Sequence, residues 1–229
     1  SADNIYRGPV GTGSGGNTMP NWCENRMTIS HTDEAKIMEV IAAATQTGLF
    51  NYFYPMPEEL RDTVADHSVA QNDEQKALIE KYGAKDWYSW ALSNWGTKWD
   101  VRDANASEIF FNPGTQRFTV DLDYETAWGP GTEALQRGVN DKGFTIDNFY
   151  IEGGVGFCGV WEGSPEAGCS DTCISFSDED LDTEEKIDAF VKDIPTSLEE
   201  AFALRERLLG NLDWLNNNLP DLPKRSPEA

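Results

Sequence analysis

Strict alternation of apolar and polar residues at residues 117–124 constrains the fold of this chain more than any other feature of its sequence. The apolar positions are Phe118, Val120, Leu122 and Tyr124, and the polar positions are Arg117, Thr119, Asp121 and Asp123. Because successive side chains of a β-strand point to opposite faces of a sheet, this pattern predicts a strand with one buried and one polar face. Such a strand suits an antiparallel sheet whose polar face meets solvent or another part of the chain.

The patterns around this strand predict the rest of an α+β fold. A turn at residues 112–114 (NPG) joins the strand to residues 108–111 in a hairpin. Helical periodicity begins after a strand at residues 26–30, with Ser30 or Thr32 as the expected N-cap. Further helices are predicted at residues 72–82, 84–95, 131–140 and 183–192, and further strands at residues 144–152, 155–161 and 173–176. This order predicts a ferredoxin-like antiparallel sheet with helices on one face.

Composition divides the chain of 229 residues into segments around one core, as its length allows. Residues 1–18 are predicted to be an irregular Gly-rich arm, either native or an expression remnant. The α+β domain covers residues 19–176 and carries a Trp-rich insertion at residues 50–106. An acidic helical appendage at residues 177–219 and a Pro-rich tail at residues 220–229 complete the division.

The formal net charge of −22 limits the class of partner. Such a charge repels nucleic acid and anionic membrane surfaces, and it permits attraction to basic proteins or mimicry of a nucleic acid. Solubility, or adaptation to a salty environment, is the simpler explanation of the charge. The chain has no apolar run of the roughly 18 residues that a membrane span needs, and its N-terminus has no apolar signal region. The expected partner is therefore another protein, with neither nucleic acid nor a membrane.

The four cysteines leave three interpretations open. Cys169 and Cys173 have a C-x3-C spacing that is compatible with zinc, and Cys23 and Cys158 could complete a four-thiolate site. A disulfide between Cys169 and Cys173 is the second interpretation. The third is two ordinary thiols in a Gly/Ser loop and two buried ones, since thiols stay reduced in a chain without an export signal.

Aromatic and polar residues of the insertion and its surroundings form a candidate ligand site. The candidates are Trp22, Asn94, Trp95, Thr97, Lys98, Trp99, Asp100 and Trp128. Aromatic walls with a few polar groups are typical of small-ligand pockets, and tryptophans stack on bases or sugars. The alternative is that the tryptophans fill the space between insertion and sheet while Asn and Thr side chains hold turns.

Two groups of carboxylates stand out. Asp121, Asp123 and Glu125 project from one strand face and could bind a divalent cation or act as acid and base. They are expected to be solvated, since no partner motif accompanies them. The predicted protein-interaction residues are Asp178, Glu179, Asp180, Asp182, Glu184 and Glu185. The only histidines, His31 and His67, lie in no metal or triad motif, and no catalytic residue is assigned.

Four motifs, in the same order and at a similar spacing, resemble a known family. They are residues 19–25 (MPNWCEN), 54–60 (YPMPEEL), 94–100 (NWGTKWD) and 125–130 (ETAWGP). Together they resemble the YubB-like ferredoxin-like family of phage and plasmid proteins, over about residues 19–165. The resemblance implies a ferredoxin-like fold and a mobile-element origin, and it brings no established catalytic residues. The Gly-rich arm, the loop with Cys169 and Cys173 and the acidic tail depart from the family.

Three functions follow as expectations. The first is a non-enzymatic phage or mobile-element accessory protein that binds another protein through an acidic surface, and that inhibits a host nucleic-acid-handling or defence protein. The second is a virion-associated structural protein, an oligomer in some versions, held in its assembly by the N-terminal arm. The third is a small-ligand-binding protein or enzyme that uses the Trp-rich insertion. The expected location is the cytoplasm of a bacterial host or the phage virion.

Overall fold

A computed structural model describes residues 21–65, 71–176 and 183–193 of the chain. The strands are β1 (Trp22–His31), β2 (Asn105–Ala106), β3 (Phe110–Asn112), β4 (Arg117–Ala127), β5 (Thr145–Glu152), β6 (Phe157–Ser164) and β7 (Gly168–Ser175). The helices are α1 (Glu34–Ala42), α2 (Leu49–Phe53), α3 (Glu58–Arg61), α4 (Asp73–Tyr82), α5 (Trp87–Trp95), α6 (Thr132–Lys142) and α7 (Glu184–Asp193). A π-helical turn, Ala43–Thr47, extends α1.

All described strand pairs are antiparallel, and the seven strands form one sheet. The order is β2-β4-β1-β5-β6-β7, and β3 also pairs with β4. The long β1–β4 pair runs from Trp22 opposite Ala127 to His31 opposite Phe118. The mixed α+β class with an antiparallel sheet is therefore confirmed, while the ferredoxin-like topology stays a prediction.

The alternation in β4 does place its apolar residues in the core. Leu122 packs with Met27 of β1, and both side chains are fully buried. Helices α1 and α6 cover this face of the sheet with Ile37 and Leu135, which are also fully buried. The hydrophobic effect thus explains why the polar set of β4 points to the other face.

Aromatic side chains of the segment between α1 and β2 extend the same core. Tyr54 stacks on Trp90 with ring centroids 5.5 Å apart, and the indole N–H of Trp95 donates to the carbonyl of Tyr54 at 2.9 Å. Helix α5 begins at a capping box in which Asp86 accepts from the Ser89 amide at 2.8 Å. The predicted helix within residues 84–95 is therefore confirmed, and its aromatic residues are mainly core residues.

Helix α7, within the predicted C-terminal appendage, lies on the face of the sheet opposite to α1 and α6. Its Ile187 and Val191 are buried against Phe149, Ile151 and Cys158. These strand residues alternate with the core residues of β5 and β6, so they point away from α1 and α6. Within the described residues, α7 covers β5 and β6 on this side and leaves the side over β1 and β4 open. We call that exposed side of β1 and β4 the open half-face.

Two local predictions are wrong. The N-cap of α1 is Asp33 rather than Ser30 or Thr32, because an Asp33 carboxylate oxygen accepts from the Ala35 amide at 3.0 Å. The predicted Gly/Ser loop with Cys169 and Cys173 is strand β7, which pairs with β6 over its whole length. Ladder hydrogen bonds outweigh the low strand propensity of its small polar residues there.

Several predictions lie outside the described residues. These are the Gly-rich arm at residues 1–18, Asp178, Glu179, Asp180 and Asp182, residues 194–219 of the acidic helical appendage, and the Pro-rich tail. Among the helices that the structure does describe, none has the length and apolar character needed to cross a membrane.

Candidate functional site

A cleft with a volume of about 670 Å³ lies on the open half-face. Strand β1 contributes Trp22, Glu24 and Arg26, which alternate with its buried residues. Strand β4 contributes Asp123 and Glu125 in the same way, because their neighbours on either side are buried. Trp99, Asp103, Asn105 and Phe149 are among the other residues that line it. The strand pleat therefore gathers polar groups from two neighbouring strands on one surface.

Cross-strand register decides which of these groups face each other. Arg26 is opposite Asp123, and its Nε lies 3.0 Å from an Asp123 carboxylate oxygen. Thr28 is opposite Asp121 and donates to its carboxylate at 2.7 Å. Glu24, in contrast, is directly opposite Glu125. Like charges in this position destabilise a strand pair, so the register concentrates negative charge at one end of the cleft.

Three tryptophans and one lysine form a row beside these carboxylates. The rings of Trp22 and Trp99 have centroids 5.7 Å apart. The Lys98 ammonium lies 3.7 Å from the centroid of Trp99 and 4.2 Å from that of Trp128. The three rings remain 38–43% exposed. Burial of Lys98 lowers the pKa of its ammonium, while its two cation–π contacts favour the charged form.

Trp128 is held in this row by an uncommon backbone conformation. Its φ is 69°, in the left-handed region that bulky residues seldom adopt. The amide of Trp128 donates to the carbonyl of Asn21 at 2.9 Å, which ties it to the residue before β1. A residue in this region costs on the order of 1–3 kcal/mol, so its surroundings fix the exposed ring in place.

The other four predicted ligand residues hold the fold together. Trp95 is buried, and Thr97 is fully buried with its hydroxyl donating to the carbonyl of Ala127 at 2.9 Å. The Asn94 side chain donates to the carbonyl of Trp90 within α5 at 2.9 Å. Asp100 accepts backbone N–H bonds at the start of α2, although part of it borders the cleft. The structure therefore separates Trp22, Lys98, Trp99 and Trp128 from this second group.

Charge in the cleft is strongly unbalanced. Five carboxylates line it, those of Glu24, Asp103, Asp123 and Glu125 and that of Asp100 at its border, while Arg26 brings one guanidinium, which pairs with Asp123. The predicted projection of Asp121, Asp123 and Glu125 from one strand face agrees with this geometry, since all three are exposed. A negative concavity with aromatic walls is suited to a cationic group.

Glu24, Arg26, Asp103 and Asn105 line the cleft but were not predicted from the sequence as site residues. The predicted first strand began at residue 26, whereas β1 begins at Trp22. The alternation of residues 22–26 carries the missing signal, since Trp22, Glu24 and Arg26 occupy every second position. Residues of the loop before β2 have no such periodicity, and only the fold brings them to the cleft.

The structure does not bring the four cysteines together. Cys169 and Cys173 are four residues apart on β7, which places their Cα atoms about 13 Å from each other. Cys23 and Cys158 belong to the cores on opposite faces of the sheet. All four are free thiols, and no group of three or more metal-ligating side chains occurs in the described ranges. Burial raises the pKa of Cys23 and of Cys158 to about 12, which makes both thiols unreactive.

The remaining candidates have structural or exposed positions. His31 accepts from the Asp33 amide at 2.9 Å and contacts the Phe144 ring edge-on, so it serves the start of α1. Glu184 and Glu185 are exposed in the first turn of α7, where acids suit the helix dipole. His67 lies outside the described residues.

Comparison with known proteins adds little to this geometry. No family model matches the chain, and no curated protein matches its sequence. Among solved structures, the chain is similar to the crystal structure of a protein api92 from Yersinia pseudotuberculosis, which is assigned to the family DUF1281. The alignment covers 69% of this chain and 99% of the other, at 10% sequence identity and a TM-score of 0.42.

Proposed function

We propose that this protein is a non-enzymatic binding protein whose open half-face holds a positively charged segment of another protein. The observation that carries the proposal is the position of exposed tryptophans and an excess of carboxylates on the same side of β1 and β4. Cations are attracted both to carboxylates and to the faces of aromatic rings, so one ligand satisfies both kinds of group.

The nature of the partner follows from the sign of the charge. Phosphates of a nucleic acid or an anionic membrane would meet the carboxylates of the cleft and a chain with a net charge of −22. Basic protein segments would instead be drawn to the cleft, and their association would be accelerated by the same field. The proposed interaction surface is the open half-face of the sheet, whereas the sequence predicted the acidic appendage.

A specific role extends this proposal. A phage or mobile-element protein with such a cleft would compete with nucleic acid for the basic surface of a host nucleic-acid-handling or defence protein. The four motifs of the sequence support this role through the family resemblance. The virion-associated role depends on residues 1–18, which lie outside the described residues.

The proposal is tested with two variants that each lose three negative charges. The cleft variant carries Glu24→Gln, Asp123→Asn and Glu125→Gln, and the control variant carries Glu58→Gln, Glu80→Gln and Glu166→Gln at exposed positions elsewhere. A basic twelve-residue peptide of alternating Gly with Lys or Arg is titrated by calorimetry at low salt. We expect the cleft variant to lose at least about tenfold in affinity, or ~1.4 kcal/mol, and the control variant to lose about twofold at most.

Two results would contradict this proposal. Equal losses in the two variants would mean that the peptide responds only to net charge and that the cleft is not the site. No binding by the unmodified protein would remove the proposed function altogether. Thermal unfolding of each variant establishes that the comparison is made between folded proteins.

A further inference from the structure

We propose that the row of exposed tryptophans beside the cleft is a docking surface for the Pro-rich tail of the same chain, residues 220–229. This inference rests on the proposed function and adds its regulation, because a docked tail competes with a basic partner for the open half-face. The tail lies outside the described residues, so its sequence, the geometry of the rings and the length of the connecting chain are the observations on which the inference stands.

The three rings of the row are exposed and yet held in place. Trp22, Trp99 and Trp128 remain 38–43% exposed. Trp22 contacts Trp99, and the Lys98 ammonium contacts both Trp99 and Trp128. Contiguous apolar groups on a surface mark interaction sites, and aromatic residues are enriched in them. Rings that are already held lose little conformational entropy when a ligand binds.

The tail has a sequence, PDLPKRSPEA, that suits an aromatic surface. Its prolines favour the polyproline II conformation, in which residues three positions apart lie about 9 Å from each other on one side. Pro220 and Pro223 have this spacing. Segments with such a P-x-x-P pattern dock on aromatic side chains at little entropic cost, because the free chain already favours the bound conformation. The two prolines can therefore contact separate rings of the row.

Charge complementarity favours the same occupant. Lys224 and Arg225 directly follow Pro223, and they are the only adjacent basic residues in the sequence. Trp22 and Trp99 line the cleft together with an excess of carboxylates. Prolines on the rings would bring the basic pair beside these carboxylates, and the attraction between opposite charges would add to the contact with the rings.

The connecting chain is long enough for the tail to reach the row within one molecule. Helix α7 packs on Phe149, which is directly opposite Arg26, so α7 lies on the face of the sheet that carries the cleft. Residues 194–219 separate α7 from the tail, and a chain of that length spans about 25–40 Å as a coil or a helix. Strand β1 is two strands from β6, or about 10 Å, and β4 is the next strand. Docking within the molecule thus benefits from an effective concentration on the order of millimolar.

Two variants of the full chain test the docking. The tail variant removes both prolines of the P-x-x-P pattern and both adjacent basic residues, by Pro220→Gly, Pro223→Gly, Lys224→Ser and Arg225→Ser. The charge-matched control spares this pattern and loses one other proline of the tail and two exposed lysines elsewhere, by Pro227→Gly, Lys76→Ser and Lys192→Ser. The two variants therefore have the same net charge.

Hydroxyl-radical footprinting with mass spectrometry measures whether the tail covers the rings. We expect the oxidation rates of Trp22, Trp99 and Trp128 to rise about threefold in the tail variant and to stay unchanged in the charge-matched control. Trp95 is buried in the core and serves as the internal reference, since its rate should be the same in all three proteins.

A second measurement connects docking to the proposed function. The basic twelve-residue peptide is titrated by calorimetry into the unmodified protein and both variants. Because a docked tail leaves only a fraction of the molecules free to bind, the apparent affinity of the unmodified protein is reduced by that fraction. We expect the tail variant to bind the peptide about fivefold more tightly, and the charge-matched control to differ from the unmodified protein by less than twofold.

The outcomes separate this inference from the function on which it rests. Equal oxidation of the three rings in the unmodified protein and the tail variant would overturn docking of the tail and leave the basic-segment function intact. Protection that weakens on dilution would assign the docked tail to a second copy of the chain, which would overturn the intramolecular contact. If the tail protects the rings but the peptide binds none of the three proteins, docking would stand and the proposed function would fall.

Discussion

Asp100 is the last residue of the motif at residues 94–100, in which some side chains stabilise the fold and others line the cleft. Its carboxylate accepts from the amides of Phe50 at 2.7 Å, Val101 at 2.9 Å and Asn51 at 3.3 Å. These amides include the first donors of α2, which have no partner within the helix. Gly48, at φ 121°, brings the backbone so close to this carboxylate that a Cβ atom would collide with it. Asp100 is therefore a helix-capping residue at the border of the cleft.

The pH dependence of stability tests this assignment. Burial raises the pKa of Asp100 to about 6 despite its backbone hydrogen bonds, which lower it. Because the folded state then holds the proton more tightly than the unfolded state, Asp100 favours folding at low pH, and this contribution is lost as pH rises from about 4 to 6. We expect the unfolding free energy of the unmodified protein to fall by up to about 3 kcal/mol relative to Asp100→Asn across this range, at ~1.4 kcal/mol per difference of one in pKa.

Urea unfolding at half-unit steps of pH measures both free energies. The absolute stability of Asp100→Asn is expected to be lower, since an amide cannot accept all three bonds. The test therefore depends on how the difference in unfolding free energy between the two proteins changes with pH. A difference that grows in favour of the unmodified protein as pH rises would mean that the hydrogen bonds outweigh burial at this carboxylate.

The sequence alone indicates that residues 94–100 are special, but it does not show which of them belong to the core and which line the cleft. Trp95 and Trp99 are the same residue type four positions apart, and their burial differs because α5 ends between them at Gly96, with φ 79°. The left-handed turn sends Trp95 into the core and Trp99 to the open half-face. A turn of this kind is predictable from glycine, but the direction in which the chain then leaves depends on tertiary packing.

At the scale of elements, the sequence patterns predict whether a segment is a helix or a strand better than they predict where that element packs. The apolar stripe of α7 is visible in the sequence, whereas the face that it covers is not. A sequence signal does exist in β5, since Phe149, Tyr150 and Ile151 are consecutive large apolar residues and are all buried. A strand of that kind is covered on both sides. The alternating strand β4 lacks this signal, and its polar side belongs to the open half-face.

Truncation at the α7 interface tests whether this helix belongs to the second core. Ile187 is fully buried against the sheet, so Ile187→Ala is expected to destabilise α7 by about 2–4 kcal/mol. Opening of α7 would uncover the Cys158 thiol, which is fully buried in the same core. We therefore expect faster alkylation of Cys158 in the variant, measured by mass spectrometry of the labelled peptides.

The chain offers internal controls for this experiment. Cys23 is buried in the core on the other face and should stay protected, while the exposed Cys173 should react at the same rate in both proteins. Lys192→Ala changes an exposed residue of α7 and should leave Cys158 protected. If Cys23 and Cys158 become reactive together, then α7 opens only with the whole domain and is no separate unit of stability.

At the scale of the whole molecule, negative charge acts on folding and on binding in opposite ways. The net charge of −22 makes the compact state repel itself. The ion pairs in the described part of the chain join side chains that are 38–99% exposed, so each contributes little to offset this repulsion. The same surplus of carboxylates is what the proposed function requires in the cleft. Folding stability and partner affinity should therefore respond oppositely to added salt.

A salt series from about 0.02 to 0.5 M NaCl tests this opposition, since the Debye length falls from roughly 20 Å to 4 Å across it. We expect the urea midpoint of unfolding to rise with an unchanged m-value, by about 1 kcal/mol of stability, because screening relieves repulsion in the folded state. Over the same range the affinity for the basic twelve-residue peptide should fall by about tenfold or more, because screening weakens its attraction to the cleft. A midpoint that falls with salt would show that the exposed ion pairs outweigh the repulsion. An affinity that does not change would show that the peptide is held by apolar contact with the tryptophans, and that the carboxylates beside them have no part in binding.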